Sequence, residues 1–369
     1  MNNSLNLQEI DQEQALNLCK FYIQSNQNTF LFGRKGTGKT AIILQAAKEA
    51  NMNISLINLS VVERTDLAGY PNLHEVGDVV TFKSPCFLPV LFENQKPNTV
   101  LVFDEVDKAP PEVTSPLLEI LLNRTINGKK LNAVSCMLTG NLACEKSYSN
   151  TLSTALLDRG AKYILKFNFD KWFDWAKLNG IHDLILGFLR SNKNYACGED
   201  NDTRYASPSP RSWHQASDAL FLAKKLKIVD ADSISDIVTG FVGVEAGFQF
   251  KMWYEHYRKF EGHANCYLEN KGMSIDFDSL HPTEKLIFVI TLCFLAKSKT
   301  LERLNAKNKF EYLENLCLFF NKNNVDLEVQ LMGLYNSFDF EFITKNKLYK
   351  CVNFYNLFDK LTKTIKISN

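Results

Sequence analysis

The sequence predicts an α/β fold over residues 1–168, a parallel sheet sandwiched by helices, followed by an all-helical remainder. Three observations predict it. Short β-type runs alternate with helical stretches through the first 160 or so residues, the pattern of a sheet covered by crossover helices. Those runs are continuously apolar rather than alternating, which implies burial on both faces. Beyond Phe169 the β signals fade and helical periodicity takes over.

Taken in order, residues 8–24 read as a helix and residues 28–32 (NTFLF) as a buried strand, followed by the glycine-rich GRKGTGKT. The next stretch, TAIILQAAKEA, reads as a helix with Ile42, Ile43, Ala46 and Ala47 on its inner face. A second strand fits residues 54–59 and a third fits 100–103. Pro110 and Pro111 suit the start of a helix, expected to run to about Leu122. Residues 133–139 form a fourth expected strand and 163–167 a fifth. Trp172, Trp175 and Leu178, then residues 181–189, read as helices; the two tryptophans are expected in a core rather than as a base-stacking platform. Residues 191–210 are a polar loop, and helices resume at 212–226 and 234–250, with several more to the end. The last stretch, 343–369, has six lysines against one aspartate and reads as a solvated helix face. The expected domains are therefore 1–168, a helical lid at 169–260, and a helical C-terminal extension at 261–369.

Composition narrows the function. With 369 residues, 45% hydrophobic and 22% charged, the chain has enough apolar material for two or three units and is not wholesale disordered. Lys plus Arg (42) nearly cancels Asp plus Glu (41), so no global field exists for gripping nucleic acid or an anionic membrane. No apolar run approaches the ~18 residues of a membrane span. The polar, acidic start MNNSLNLQEIDQEQ is unlike a signal peptide, and a cytoplasmic location is expected. Nine cysteines with no CxxC pair, several in apolar company such as Cys293 and Cys317, read as reduced and structural. Six histidines include no HExxH pair, so no protein-built metal cluster is expected.

The chemistry lies in two stretches. Gly33-Arg34-Lys35-Gly36-Thr37-Gly38-Lys39-Thr40 fits GxxxxGK[ST] between a predicted strand and a predicted helix, the setting that motif needs. Its glycines let successive backbone N–H groups face phosphate oxygens at the positive end of the following helix. Lys39 is expected to reach the β and γ phosphates and the Thr40 hydroxyl to ligate Mg²⁺. Sixty-five residues beyond Thr40, counting to Glu105, the apolar Leu101-Val102-Phe103 ends in Asp104-Glu105. Asp104 is expected to hold Mg²⁺ through water. Glu105 is expected to polarise an attacking water, which a hydrolase needs and a passive nucleotide binder does not.

From here the chain resembles a family. Residues 104–124, DEVDKAPPEVTSPLLEILLNR, resemble the Walker B region of the MoxR-type branch of the AAA+ ATPases, which belongs to the P-loop NTPase fold class. Upstream, DLAGYP (66–71) is similar to the family's segment before that region. Downstream, LTGN ending at Asn141 resembles sensor 1, ALLDR ending at Arg159 resembles the segment that ends in an arginine finger, and SPRSW around Arg211 resembles the start of the sensor 2 helix. These elements keep the family's order over about residues 28–225. The resemblance implies that Asn141 bonds the attacking water or the γ-phosphate. It also implies that Arg159 neutralises charge on a neighbouring subunit's nucleotide, and that Arg211 reaches the phosphates in cis. It further implies ATP with Mg²⁺, a ring of copies (most often six), and remodelling of a protein partner, often one bearing a von Willebrand factor A domain. The sequence departs from the family at Arg34, which replaces a proline, and at Gly160, which replaces an aromatic and predicts a looser turn. Arg124 competes with Arg159 for the trans role. A nucleic-acid motor or restriction-type NTPase, a non-hydrolysing nucleotide switch and a metal-chelatase motor subunit remain alternatives.

Overall fold

The computed structural model describes residues 7–72, 80–141, 152–198, 207–228, 230–272, 275–304, 306, 308–323, 325–338 and 340–367. They form two compact units that divide after Trp172. The first is built on a six-stranded, all-parallel sheet: β1 (Gln8–Ile10), β2 (Thr29–Gly33), β3 (Asn53–Asn58), β4 (Thr99–Asp104), β5 (Ser135–Gly140) and β6 (Ala161–Leu165). Their spatial order is β1-β6-β2-β5-β4-β3. The long strands pair in register, with Leu31 opposite Thr139 on one side and Tyr163 on the other, and Ile57 opposite Phe103.

Alternate residues of each strand feed two different cores. Phe30, Phe32, Leu101, Phe103 and Leu138 face Val113, Leu117 and Ile120 of α3 (Pro111–Asn123). Leu31, Val100, Val102 and Met137 face α1 (Gln12–Gln24) and α2 (Lys39–Glu49), through Cys19, Ile23, Ile43 and Ala46. The continuous apolar runs are thus the signature of a sheet covered on both faces. Pro111 opens α3, where the missing N–H costs no helical hydrogen bond.

Three features differ from the sequence expectation. Residues 8–24 are not one helix. Residues 8–10 add an edge strand to β6, and α1 begins behind the N-cap Asp11, whose carboxylate accepts from Gln14 N at 2.9 Å. Two antiparallel hairpin pairings were not foreseen, Tyr70–Pro71 with Phe82–Lys83 and Thr125–Ile126 with Lys129–Lys130. The second turns on Asn127-Gly128, both at positive φ (48° and 74°), a dipeptide suited to tight hairpins. Finally, the helix expected over 234–250 is two helices, Ala231–Val242 and Val244–Leu268, split by Gly243 at φ 87°.

The second unit is helical throughout its described residues. Trp213 and Phe250 are fully buried against Phe188, with ring centroids 5.5 Å from it in each case. Phe277, Phe288 and Phe319 form another aromatic contact set. The border expected at residue 260 lies inside the unbroken Val244–Leu268 helix. Trp172 is buried beside Phe167 and Phe169, and Trp175 packs edge-on against His214. No helix among the described residues is long and apolar enough to cross a membrane.

Candidate functional site

The loop Gly33–Thr40 leaves the C-terminal end of β2, between β6 and β5, in the middle of the sheet. Ligands of open α/β sheets bind outside the carboxyl ends of the strands. Gly36 (φ 76°) and Gly38 (φ 95°) hold left-handed backbone that a side chain would oppose, and Gly38 is the N-cap of α2. That conformation curls the chain into a concavity at the helix's positive end. Thr37 ties the loop by donating its hydroxyl to Arg34 O at 2.7 Å.

Lys39 is buried and folds back along this loop. Its ammonium donates to Gly33 O at 2.6 Å, Arg34 O at 2.8 Å and Asn141 Oδ1 at 3.2 Å. A buried cation satisfied by neutral carbonyls gains strongly from an anion delivered to the same spot. Next to it, Thr40 Oγ1 donates to Asp104 Oδ1 at 3.0 Å. Asp104 Oδ1 also accepts from Glu105 N at 3.2 Å and from the Thr139 hydroxyl. A hydroxyl and a carboxylate at the lip of an anion cradle form the hard-oxygen set that suits Mg²⁺, which takes one or two protein oxygens plus phosphates and waters. The residues present fit both Mg²⁺ and a nucleotide's phosphates. No cluster of three or more His, Cys, Asp or Glu that could hold a metal alone occurs among the described residues.

Glu105 ends β4 in the left-handed region (φ 57°, ψ 44°), rare for a residue with a long side chain. That turn lifts its carboxylate off the sheet edge, where Lys108 bonds it at 2.8 Å. The Lys108 hydrogen bond holds the Glu105 carboxyl below the usual range against an opposing desolvation, with smaller help from Ser60 and Lys35. After one 3-10 turn, Asp107 is buried and accepts twice from Asn141. Lys39, Thr40, Asp104, Glu105 and Asn141 therefore gather at one sheet edge. Sequence reasoning missed Thr139, Asp107 and Lys108; the signal was their spacing, two residues before Asn141 and two and three after Glu105.

Arg159 lies elsewhere. It precedes β6, at the end of the sheet where strands begin, the length of β2 away from the loop, roughly 16 Å at 3.3 Å per residue. Its backbone carbonyl accepts from Asn28 Nδ2 at 2.8 Å, and its Nε is buried with no hydrogen-bond partner among the described residues. With Lys96, Arg124 and Asp158 it lines a groove of about 800 Å³. Arg124, at the C-terminus of α3, instead turns its guanidinium inward, to Leu121 O at 2.5 Å, Ile120 O at 3.3 Å and Asn28 Oδ1. The turn at Gly160 is tight rather than loose. A Cβ there would stand 2.7 Å from Asn28 O, closer than an aromatic residue could approach. Arg211 belongs to the second unit, exposed in the first turn of the helix Pro210–Lys225, which Ser209 caps.

Sheet order, phosphate loop and acidic strand end define a P-loop nucleotide-binding domain of the AAA type. Residues 29–166, a little over a third of the chain, match the family model described as ATPase family associated with various cellular activities (AAA). The chain is 29% identical over 150 residues to the mitochondrial disaggregase of Homo sapiens, covering 36% of this chain and 20% of that protein. The Rattus norvegicus disaggregase matches at the same identity, with 21% of its length covered. The chain thus spans about a fifth of the length of these curated relatives. Among solved structures, the Thermotoga maritima RuvB Holliday junction branch migration motor is similar with a TM-score of 0.34 at 13% identity, over 73% of this chain and 78% of that one.

Proposed function

We propose that this chain is a Mg²⁺-dependent ATPase of the AAA+ class, resembling the MoxR type, which acts in the cytoplasm as a ring and remodels a protein partner. The observation that supports this best is the meeting of Lys39, Thr40, Asp104, Glu105 and Asn141 at the carboxyl edge of one parallel sheet. A bare nucleotide switch needs the first three. A water-polarising carboxylate beside them is what a hydrolase adds.

In this reading Lys39 exchanges its carbonyl partners for β and γ phosphate oxygens. Thr40 and Asp104 hold Mg²⁺, which supplies charge neutralisation on the phosphates. Glu105, whose carboxyl Lys108 holds below the usual range, accepts a hydrogen bond from the attacking water and orients it. Asn141 bonds that water or the γ-phosphate, and the sensor 2 resemblance favours a phosphate-sensing role for Arg211. Arg159 serves a neighbour's nucleotide, because it stands at the wrong end of its own sheet for its own loop. Arg124 is committed to its own chain through Asn28, Ile120 and Leu121, which favours Arg159 for the trans role. An active site completed by the next copy is a head-to-tail contact, which makes a ring where its rotation closes, and the resemblance to the MoxR type favours six copies. A partner with a von Willebrand factor A domain completes the reading.

The test is NTP turnover by wild type, Lys39→Ala and Glu105→Gln, with and without nucleic acid, beside sizing in ATP. The expected result is ATP turnover in wild type alone, a fall of about a hundredfold or more in both variants, and a ring trapped by Glu105→Gln. Turnover in Glu105→Gln equal to wild type sinks the hydrolytic assignment, and salt-sensitive stimulation by DNA moves the reading to a nucleic-acid motor.

A further inference from the structure

The segment after β4 carries a second carboxylate that the reading above does not use. Asp107 is 3% exposed. One of its oxygens accepts from Asn141 N at 2.9 Å, the other from Asn141 Nδ2 at 3.2 Å. On the opposite side of the same carboxamide, Asn141 Oδ1 accepts from Lys39 Nζ at 3.2 Å. The amide thus sits between a carboxylate and an ammonium. Only one of its two orientations satisfies both: nitrogen toward the carboxylate, oxygen toward the ammonium. The flipped amide would set an NH₂ against Lys39 and an acceptor against Asp107. Both contacts would become repulsive in a partly buried place, where electrostatics weigh more than in water.

We propose that Asp107 is the positioning residue that fixes Asn141 so that it offers an acceptor oxygen to the phosphate-loop side of the site. The inference rests on the ATPase reading and deepens it. A carboxamide oxygen cannot donate to a γ-phosphate oxygen, so of the two roles open to Asn141 the tie selects one. Asn141 accepts a hydrogen bond from the attacking water, with the oxygen that Lys39 meets when no nucleotide is bound. Asp107 reaches it because the left-handed Glu105 and the Val106–Lys108 turn fold the chain back beneath the end of β5. Gly140 contributes as well: a Cβ there would stand 3.3 Å from Asp107 Oδ1 and crowd the carboxylate.

The test is Asp107→Asn, alone and in an Asn141→Ala background, read by turnover, by ATP affinity and by the NMR signals of the Asn141 side-chain amide without nucleotide. The new carboxamide can still accept from Asn141 N, but it then turns an NH₂ toward the Asn141 side chain and favours the flipped amide. Turnover of the single variant should fall about tenfold to a hundredfold, as for loss of a charge-assisted hydrogen bond. ATP affinity should change less than about threefold, and the Asn141 side-chain signals should move. In the Asn141→Ala background the same substitution should change turnover by less than about twofold, since nothing remains to be positioned. Equal losses in both backgrounds make Asp107 merely structural and overturn the proposal, as does an unmoved Asn141 amide. If wild type turns over no ATP, the ATPase reading fails by itself, and the amide signals still decide whether Asp107 sets the orientation of Asn141.

Discussion

Glu105 shows how one backbone angle and one neighbour set a site's chemistry. Its left-handed φ of 57° turns the carboxylate away from the strand, and Lys108 meets it three residues on. Because Lys108 lowers its pKa, the folded carboxyl stays ionised below the range where a free glutamate protonates. The sign follows directly. The pair's stabilisation is fully present above the ordinary glutamate pKa and is lost as pH falls through the lower, folded value. Turnover should therefore be flat through neutral pH, with its acid limb set below the ordinary glutamate range. Lys108→Met should move that limb upward, toward an unperturbed glutamate, and an unmoved limb would show that another group controls it. Lys39, Thr40, Asp104 and Glu105 were legible in the sequence because motif and strand end fix them locally. Thr139 was not, since its role arises only when β4 and β5 lie side by side and its hydroxyl meets Asp104. Thr139→Val leaves the strand's shape intact and removes that contact. Its turnover should fall by about tenfold, checked by steady-state kinetics beside a thermal melt.

At the scale of elements, Asn28 ties the starts of three strands and the end of α3. Its side chain donates to Leu121 O at 2.9 Å and Arg159 O at 2.8 Å, and its Oδ1 accepts from Cys136 N at 3.2 Å and from Arg124. Its own carbonyl accepts from Ala161 N at 3.0 Å, and Gly160 is the residue that lets the chains approach so closely. Gly160→Ala should cost about 1–3 kcal/mol by overpacking, read as a lower denaturant midpoint with an unchanged m-value. A stability equal to wild type would show that the turn relaxes freely. The central strands β2, β4 and β5 were readable because they are buried on both faces, and α3 because proline opens it. The edge strand Gln8–Ile10 was not, because only Ile10 of its three residues is buried and its pairing depends on a strand some 150 residues away. The Thr125–Lys130 hairpin did leave a sign, Asn127-Gly128, which a search for buried runs passes over. The split at Gly243 is the opposite case. One apolar periodicity runs through both helices, and only the glycine's positive φ reveals the break.

At the scale of the whole molecule the question is whether Arg159 completes its own site or a neighbour's. The sheet separates Arg159 from the loop of its own chain by the length of β2, so a cis role would require the strand itself to give way. If the site is shared, two different dead variants can repair each other. Arg159→Ala retains Glu105 but cannot complete the next copy's site; Glu105→Gln cannot hydrolyse but still lends its arginine. In a mixed ring, the interfaces that pair an Arg159→Ala nucleotide site with an arginine from Glu105→Gln hold a full set of groups. With equal amounts and random assembly that is about one interface in four. Mixing the two inactive proteins should therefore restore up to about a quarter of wild-type turnover, rising and falling with the mixing ratio around an even mixture. Arg159→Ala should keep its nucleotide affinity throughout, since the loop that binds phosphate is untouched. A cis arginine predicts no more than the sum of the two residual activities at every ratio. The same titration with Arg124→Ala in place of Arg159→Ala should show no repair, because Arg124 spends its guanidinium on its own chain and its loss is a folding defect that each copy carries alone.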